Sequence, residues 1–166
     1  MMARTSAMLR TATLLALLAS PALAQDADPA GQLVEGYVAC FASHGSLETI
    51  TPTLAQFGWT LEPGEDGLTN AMPGAGNATF AMIADDASFC HVESLTIGTT
   101  AAAAILEAAM QGVDAPLPAA TKDADGCTQY DLDDGTTVTL TSGGNDPVCT
   151  SDTDSAVRFD YSATTE

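Results

Sequence analysis

The sequence predicts an α+β domain, with helices packed mainly on one face of an antiparallel sheet of about five strands, in the order ααββαβββ, stapled by disulfides. Three observations lead there. Apolar residues recur at helical spacing early in the chain and again near its middle. Runs of alternating apolar and polar residues follow, the pattern of a sheet with one wet face. Four cysteines lie beyond a leader of export type.

The leader reads MMARTSAMLRTATLLALLASPALAQ. Arg4 and Arg10 precede an apolar run over residues 14–19; Pro21 breaks it, and Ala22-Leu23-Ala24 supplies small residues where a signal peptidase reads. Residues 1–24 are expected to be a signal peptide cut after Ala24, which places the protein in the periplasm or outside the cell. The run is well short of the roughly 20 residues that cross a bilayer, so no membrane insertion is expected after cleavage.

All 22 acidic residues follow the cleavage site, and only Lys122 and Arg158 oppose them. The resulting net charge of about −20 repels phosphate backbones and anionic lipid, which disfavours nucleic-acid binding. It suits a cationic protein or peptide as partner. The remaining chain of about 140 residues has the size of one domain.

Residues 25–31 (QDADPAG) read as a disordered leader, and 32–166 as a single α+β domain. A first helix is expected over 32–43, with Leu33, Val34, Tyr37, Val38 and Phe41 as its buried stripe and Gly45 as its end. Ser46 caps a second helix that buries Leu47, Ile50, Leu54 and Phe57, unless Thr51 is the cap and Pro52 the first helical residue. Gly58 stops it. Residues 61–76, rich in glycine, proline and acids, read as a long loop.

Segments 79–84 and 88–97 read as a hairpin turning at Asp85-Asp86. A third, alanine-rich helix follows to residue 111, with Gly112 as its stop and a linker carrying Pro116 and Pro118. Thr128, Tyr130 and Leu132 alternate with polar residues before the turn Asp133-Asp134-Gly135. Val138 and Leu140, then Val157, Phe159 and Tyr161, continue the alternation.

Cys40, Cys90, Cys127 and Cys149 form a disulfide framework in an exported chain, and three pairings are open. Cys40–Cys90 and Cys127–Cys149 are favoured: the first ties the opening helix to the first hairpin, the second clamps the loop beside the last.

Each of the two histidines lies near a cysteine, so a Cys/His centre has to be weighed. Cys40 and His44 share a helical face, an acceptable ligand spacing. Cys90 and His91, adjacent on a strand, point to opposite faces, so one tetrahedral ion cannot take both. Oxidation also removes the thiols. If Cys40 and Cys90 are joined, His44 and His91 are expected near one another at the helix–sheet seam. His91 and Glu93 share a strand face and are expected to pair.

Acidic turns at Glu65-Asp66, Asp123 with Asp125, Asp131 with Asp133 and Asp134, and Asp152 with Asp154 do not match the twelve-residue calcium loop and read as solvated. Trp59 reads as a core or lid residue. No serine elbow, phosphate loop, His-Glu-x-x-His or Cys-x-x-Cys occurs. No catalytic residue, metal or cofactor is therefore assigned.

The expected function is that of an exported, strongly acidic, disulfide-bonded domain with a non-enzymatic binding or accessory role. One alternative is a small exported hydrolase or metal-binding protein using His44, His91 and Glu93. Another is an inhibitor or immunity-like protein whose acidic face covers a basic target.

Overall fold

The computed structural model of the protein describes residues 28–74, 78–143 and 148–162; the expected signal segment lies outside them. Helix α1 (Pro29–Ser43) opens with its proline in the first turn, where the missing N–H has no helical partner to lose. The helix therefore begins inside the segment read as a disordered leader. Leu33, Gly36, Tyr37 and Cys40 line its buried face, while Val34, expected in the stripe, is exposed. The chain leaves α1 through two left-handed residues, His44 and Gly45. Only glycine serves at the second, because a Cβ there would lie 2.6 Å from the Tyr161 ring.

Helix α2 (Leu47–Gln56) follows Ser46, and Pro52 lies inside it rather than at its start. The proline deletes the bond that the Glu48 carbonyl would accept. Burial of Ile50 and Leu54 holds the helix in place.

Four strands come next: β1 (Trp59–Pro63), β2 (Leu68–Pro73), β3 (Thr79–Ala84) and β4 (Phe89–Ser94). Helix α3 (Thr99–Gly112) precedes β5 (Thr121–Lys122), β6 (Thr128–Asp131), β7 (Thr137–Thr141) and β8 (Ser155–Asp160). The strands form one antiparallel sheet of eight, ordered β1-β2-β3-β4-β8-β7-β6-β5.

The fold is thus α+β and disulfide-bonded, but the strand count and order differ from the expectation. Two of the added strands, β1 and β2, come from the stretch read as a loop. Pro63 and Pro73 end these strands, and Gly64, Gly67 and Gly74 lie outside them, next to their ends. β1 is a largely exposed edge strand, so its alternation is faint. β5, the other edge, is two residues long and gives no period at all.

Two helices and then a four-stranded meander make up the first half of the described chain, one helix and a second four-stranded meander the other, and the halves join where β4 pairs β8. The two Asp-Asp turns take different places in their meanders: Asp85-Asp86 joins the last two strands of the first, Asp133-Asp134 the middle two of the second.

One face of the sheet carries Ala81, Ile83, Cys90, Val92, Val157, Phe159, Val138 and Leu140, which form the core with Leu33 and Tyr37 of α1 and Leu106 and Met110 of α3. The opposite face carries a row fixed by register: Met82, His91, Arg158 and Thr139 on adjacent strands.

Register also decides what gathers at each end of the sheet. The β1–β2, β3–β4 and β6–β7 turns and the end of β8 fall at the same end. The C-terminus of α1 arrives there too, since Gly45 abuts Tyr161 and the Ala87 carbonyl.

Candidate functional site

The sulfur atoms are joined as Cys40–Cys90 and Cys127–Cys149, the pairing favoured from sequence. These bonds close 50- and 22-residue separations. Such cross-links fit an oxidising compartment. Among the described residues no helix is long and apolar enough to cross a membrane.

Joining Cys40 to Cys90 does not bring the histidines together, contrary to expectation. Cys90 turns into the core toward α1, and its neighbour His91 therefore turns to the opposite face of the sheet. His44 stays on the helix side, at the left-handed end of α1. A site using His44, His91 and Glu93 jointly is not assembled.

His91 and Glu93 do pair, Nε2 to Oε2 at 3.1 Å, with only 12% and 11% of their side chains exposed. That is deep shelter for a polar pair on the face of the sheet turned away from the described helices. Its cause lies in the neighbours: Met82 and Arg158 flank His91, Phe80 and Ala156 flank Glu93, and Gly143 closes over the carboxylate. A Cβ at Gly143 would lie 2.7 Å from the Glu93 carboxyl carbon. Arg158 stacks on Phe89 and bonds Asp160 at 2.7 Å.

The second histidine belongs to a different environment. His44 Nδ1 lies 3.9 Å from Asp134 Oδ2, and its ring lies near those of Phe41 and Tyr161. Burial pushes the Asp134 carboxyl up. The Thr136 amide and hydroxyl, aided by the His44 ring, outweigh that and hold it below the ordinary carboxylate value.

Beside this pair opens a cavity of about 490 Å³. Phe41, Pro116 and Leu132 supply apolar wall; Asp114, Asp133 and Asp134 supply carboxylates. A second cavity at the same end of the sheet, about 280 Å³, is lined by Asp66, Asp85, Asp86, Leu68 and Phe89 among others.

Asp114 reaches its place through the end of α3. Asp114 N–H donates to the Gln111 carbonyl and Ala115 N–H to that of Met110, a Schellman ending. The residue in the left-handed position is Asp114 (φ 57°), where glycine is usual. The expected stop, Gly112, is the last helical residue instead.

The other candidates resolve simply. Trp59 is buried and donates from Nε1 to Glu35 at 2.8 Å, so it is a core residue. Asp123 accepts from the amides of Asp125 and Cys127, and Asp154 from the hydroxyls of Ser151 and Thr153. Among the described residues no His, Cys, Asp and Glu side chains group so as to hold a metal ion.

Sequence reading missed the larger cavity, because its walls come from α1, the α3–β5 connection and the β6–β7 turn. The local signal was an acid rather than a glycine just past a helix end. Comparison of the chain with known protein families, curated proteins and solved structures found no match.

Proposed function

We propose that the protein is an exported, non-enzymatic binding domain that recognises a cationic protein or peptide. The observation that carries this reading is the grouping of three acidic turns, Glu65-Asp66, Asp85-Asp86 and Asp133-Asp134, at one end of the sheet. Two open cavities with apolar and carboxylate walls lie among them. Carboxylates gathered on a rigid scaffold raise the local concentration of cations and steer their approach. The disulfides and a buried core supply that rigidity, so little ordering is left to oppose binding.

Removal of residues 1–24 during export is part of the proposal. Intact mass of material recovered from outside the cytoplasm should correspond to a start at Gln25 with two fewer hydrogens per disulfide. A mass retaining the leader would refute export with cleavage.

Binding is tested by titrating the mature, oxidised chain with a basic peptide and with its acidic counterpart of equal length. The basic peptide should bind saturably, and more weakly as salt rises from about 50 to about 300 mM, as screening shortens the reach of the field. The acidic peptide should not bind. Equal affinity for both, or affinity indifferent to salt, would discard the reading. His91→Ala should leave this binding intact, because His91 faces the other side of the sheet.

A further inference from the structure

We propose that the larger cavity, between α1, the α3–β5 connection and the β6–β7 turn, seats an arginine or lysine side chain presented by a polypeptide partner. This rests on the cationic-partner reading above and gives it a place.

The cavity's two kinds of wall specify the ligand. Its volume, about 490 Å³, lies within the range of sites for small ligands. Phe41, Pro116 and Leu132 offer apolar surface to a methylene stem, and the Phe41 ring can face a cation. Asp114, Asp133 and Asp134 offer carboxylates to a charged head. A purely apolar ligand would strip water from those carboxylates without replacing its hydrogen bonds. An anion would be repelled.

The backbone contributes the same sign. The C-termini of α1 and α3 both reach this cavity, and helix C-termini carry partial negative charge. Asp114 adds a carboxylate where that dipole disfavours one, and in a left-handed conformation that favours glycine. The buried residues of α3 are Thr99, Ala102, Leu106, Ala109 and Met110, while Asp114 is exposed, so the packed face of the helix does not use the acid. A cation in the cavity relieves both the dipole and the cluster.

A polypeptide fits better than a free small cation because the surface continues. Pro116 and Pro118 line both the larger cavity and an adjoining cavity of about 340 Å³, where Glu107 and Tyr130 stand. A chain passing over these prolines can place one basic residue in the larger cavity and another beside Glu107.

The test uses the mature, oxidised chain and acetyl-Gly-Arg-Gly-amide, with the citrulline peptide as neutral isostere, by calorimetry and NMR at about 150 mM salt. The arginine peptide should bind saturably and the citrulline peptide at least about tenfold more weakly. Asp114→Asn with Asp133→Asn should weaken the arginine peptide at least about tenfold. Asp125→Asn with Asp152→Asn, which removes equal charge at the opposite end of the sheet, should leave it unchanged. NMR spectra of each variant establish that it is folded.

Equal losses in the two variants would mean a diffuse field and overturn the cavity while sparing the cationic-partner reading. So would failure of the tripeptide where longer basic polypeptides still bind. Failure of both would overturn both. Free spermidine binding more tightly than the peptide, with the same dependence on Asp114 and Asp133, would overturn the polypeptide as occupant.

Discussion

Tyr161 shows how much one side chain carries at the acidic end of the sheet. Its hydroxyl donates to the Cys40 carbonyl at 2.7 Å, tying the end of β8 to α1 beside the Cys40–Cys90 bond. Its ring blocks any side chain at Gly45 and lies against His44. Burial first, then the charge of Asp160, pushes the phenol above its ordinary value of 10.0. A phenol raised in the folded state contributes stability that is whole below the unfolded value and is lost as pH rises past it. Tyr161→Phe should therefore cost about 1 kcal/mol at neutral pH, the usual net worth of such a bond. It should also flatten the fall in stability above about pH 10. Urea unfolding of both proteins from pH 7 to 11 measures each effect. An unchanged midpoint at pH 7 would mean that the bond contributes nothing.

Elements differed in how openly the sequence declared them. The period of α1, the hairpin of β3 and β4, and the alternation through β6, β7 and β8 were readable because each has one face fully in the core. The β1–β2 hairpin was not, because edge residues such as Thr60, Glu62 and Met72 face water and its glycines resemble those of a loop. Strand parity predicted the His91–Glu93 pair from spacing alone. The same parity argues against His44 and His91 meeting; the expectation that a disulfide would draw them together ignored which face each neighbour takes. The cavity was unreadable because its segments meet only in three dimensions. The junction ahead of α3 is likewise tertiary. Gly98 lies so close to residues 151 and 152 that a Cβ would come within 2.5 Å of the Ser151 carbonyl oxygen and the Asp152 carbonyl carbon. Thr99 bonds Ser151 through its amide and hydroxyl. Backbone cannot yield as a side-chain tip does, so Gly98→Ala should destabilise by about 1–3 kcal/mol despite alanine's lower unfolded-state entropy. Among the described residues, Gly58→Ala meets no atom within 4 Å beyond its chain neighbours and has its left-handed backbone to oppose it, so it serves as the comparison for strain without crowding. If Gly98→Ala melted as the wild type does, the close approach would be wrong.

At the scale of the molecule two large terms oppose each other: self-repulsion among 22 carboxylates and the constraint of two cross-links. Repulsion is stronger in the folded state, where charges are held closer than in the expanded chain, so screening should favour folding. The Cys40–Cys90 bond spans a separation of 50 residues, worth about 4 kcal/mol in the chain-entropy model. Against a typical net stability of about 5–15 kcal/mol, losing it leaves a domain of this size near its threshold. Cys40→Ala with Cys90→Ala should therefore be largely unfolded at about 10 mM salt and regain structure as salt approaches about 500 mM, where charges are screened within a few ångströms. The intact protein should stay folded throughout and gain a few degrees in melting temperature over the same range. Circular dichroism melts of both proteins across the series, with sodium chloride as the screening salt, provide the measurement. Refolding of the variant that failed to follow salt would show that charge is not what the cross-link works against. A wild-type melting temperature that fell with salt would show that local attractions, such as that of Arg158 with Asp160, outweigh the repulsion.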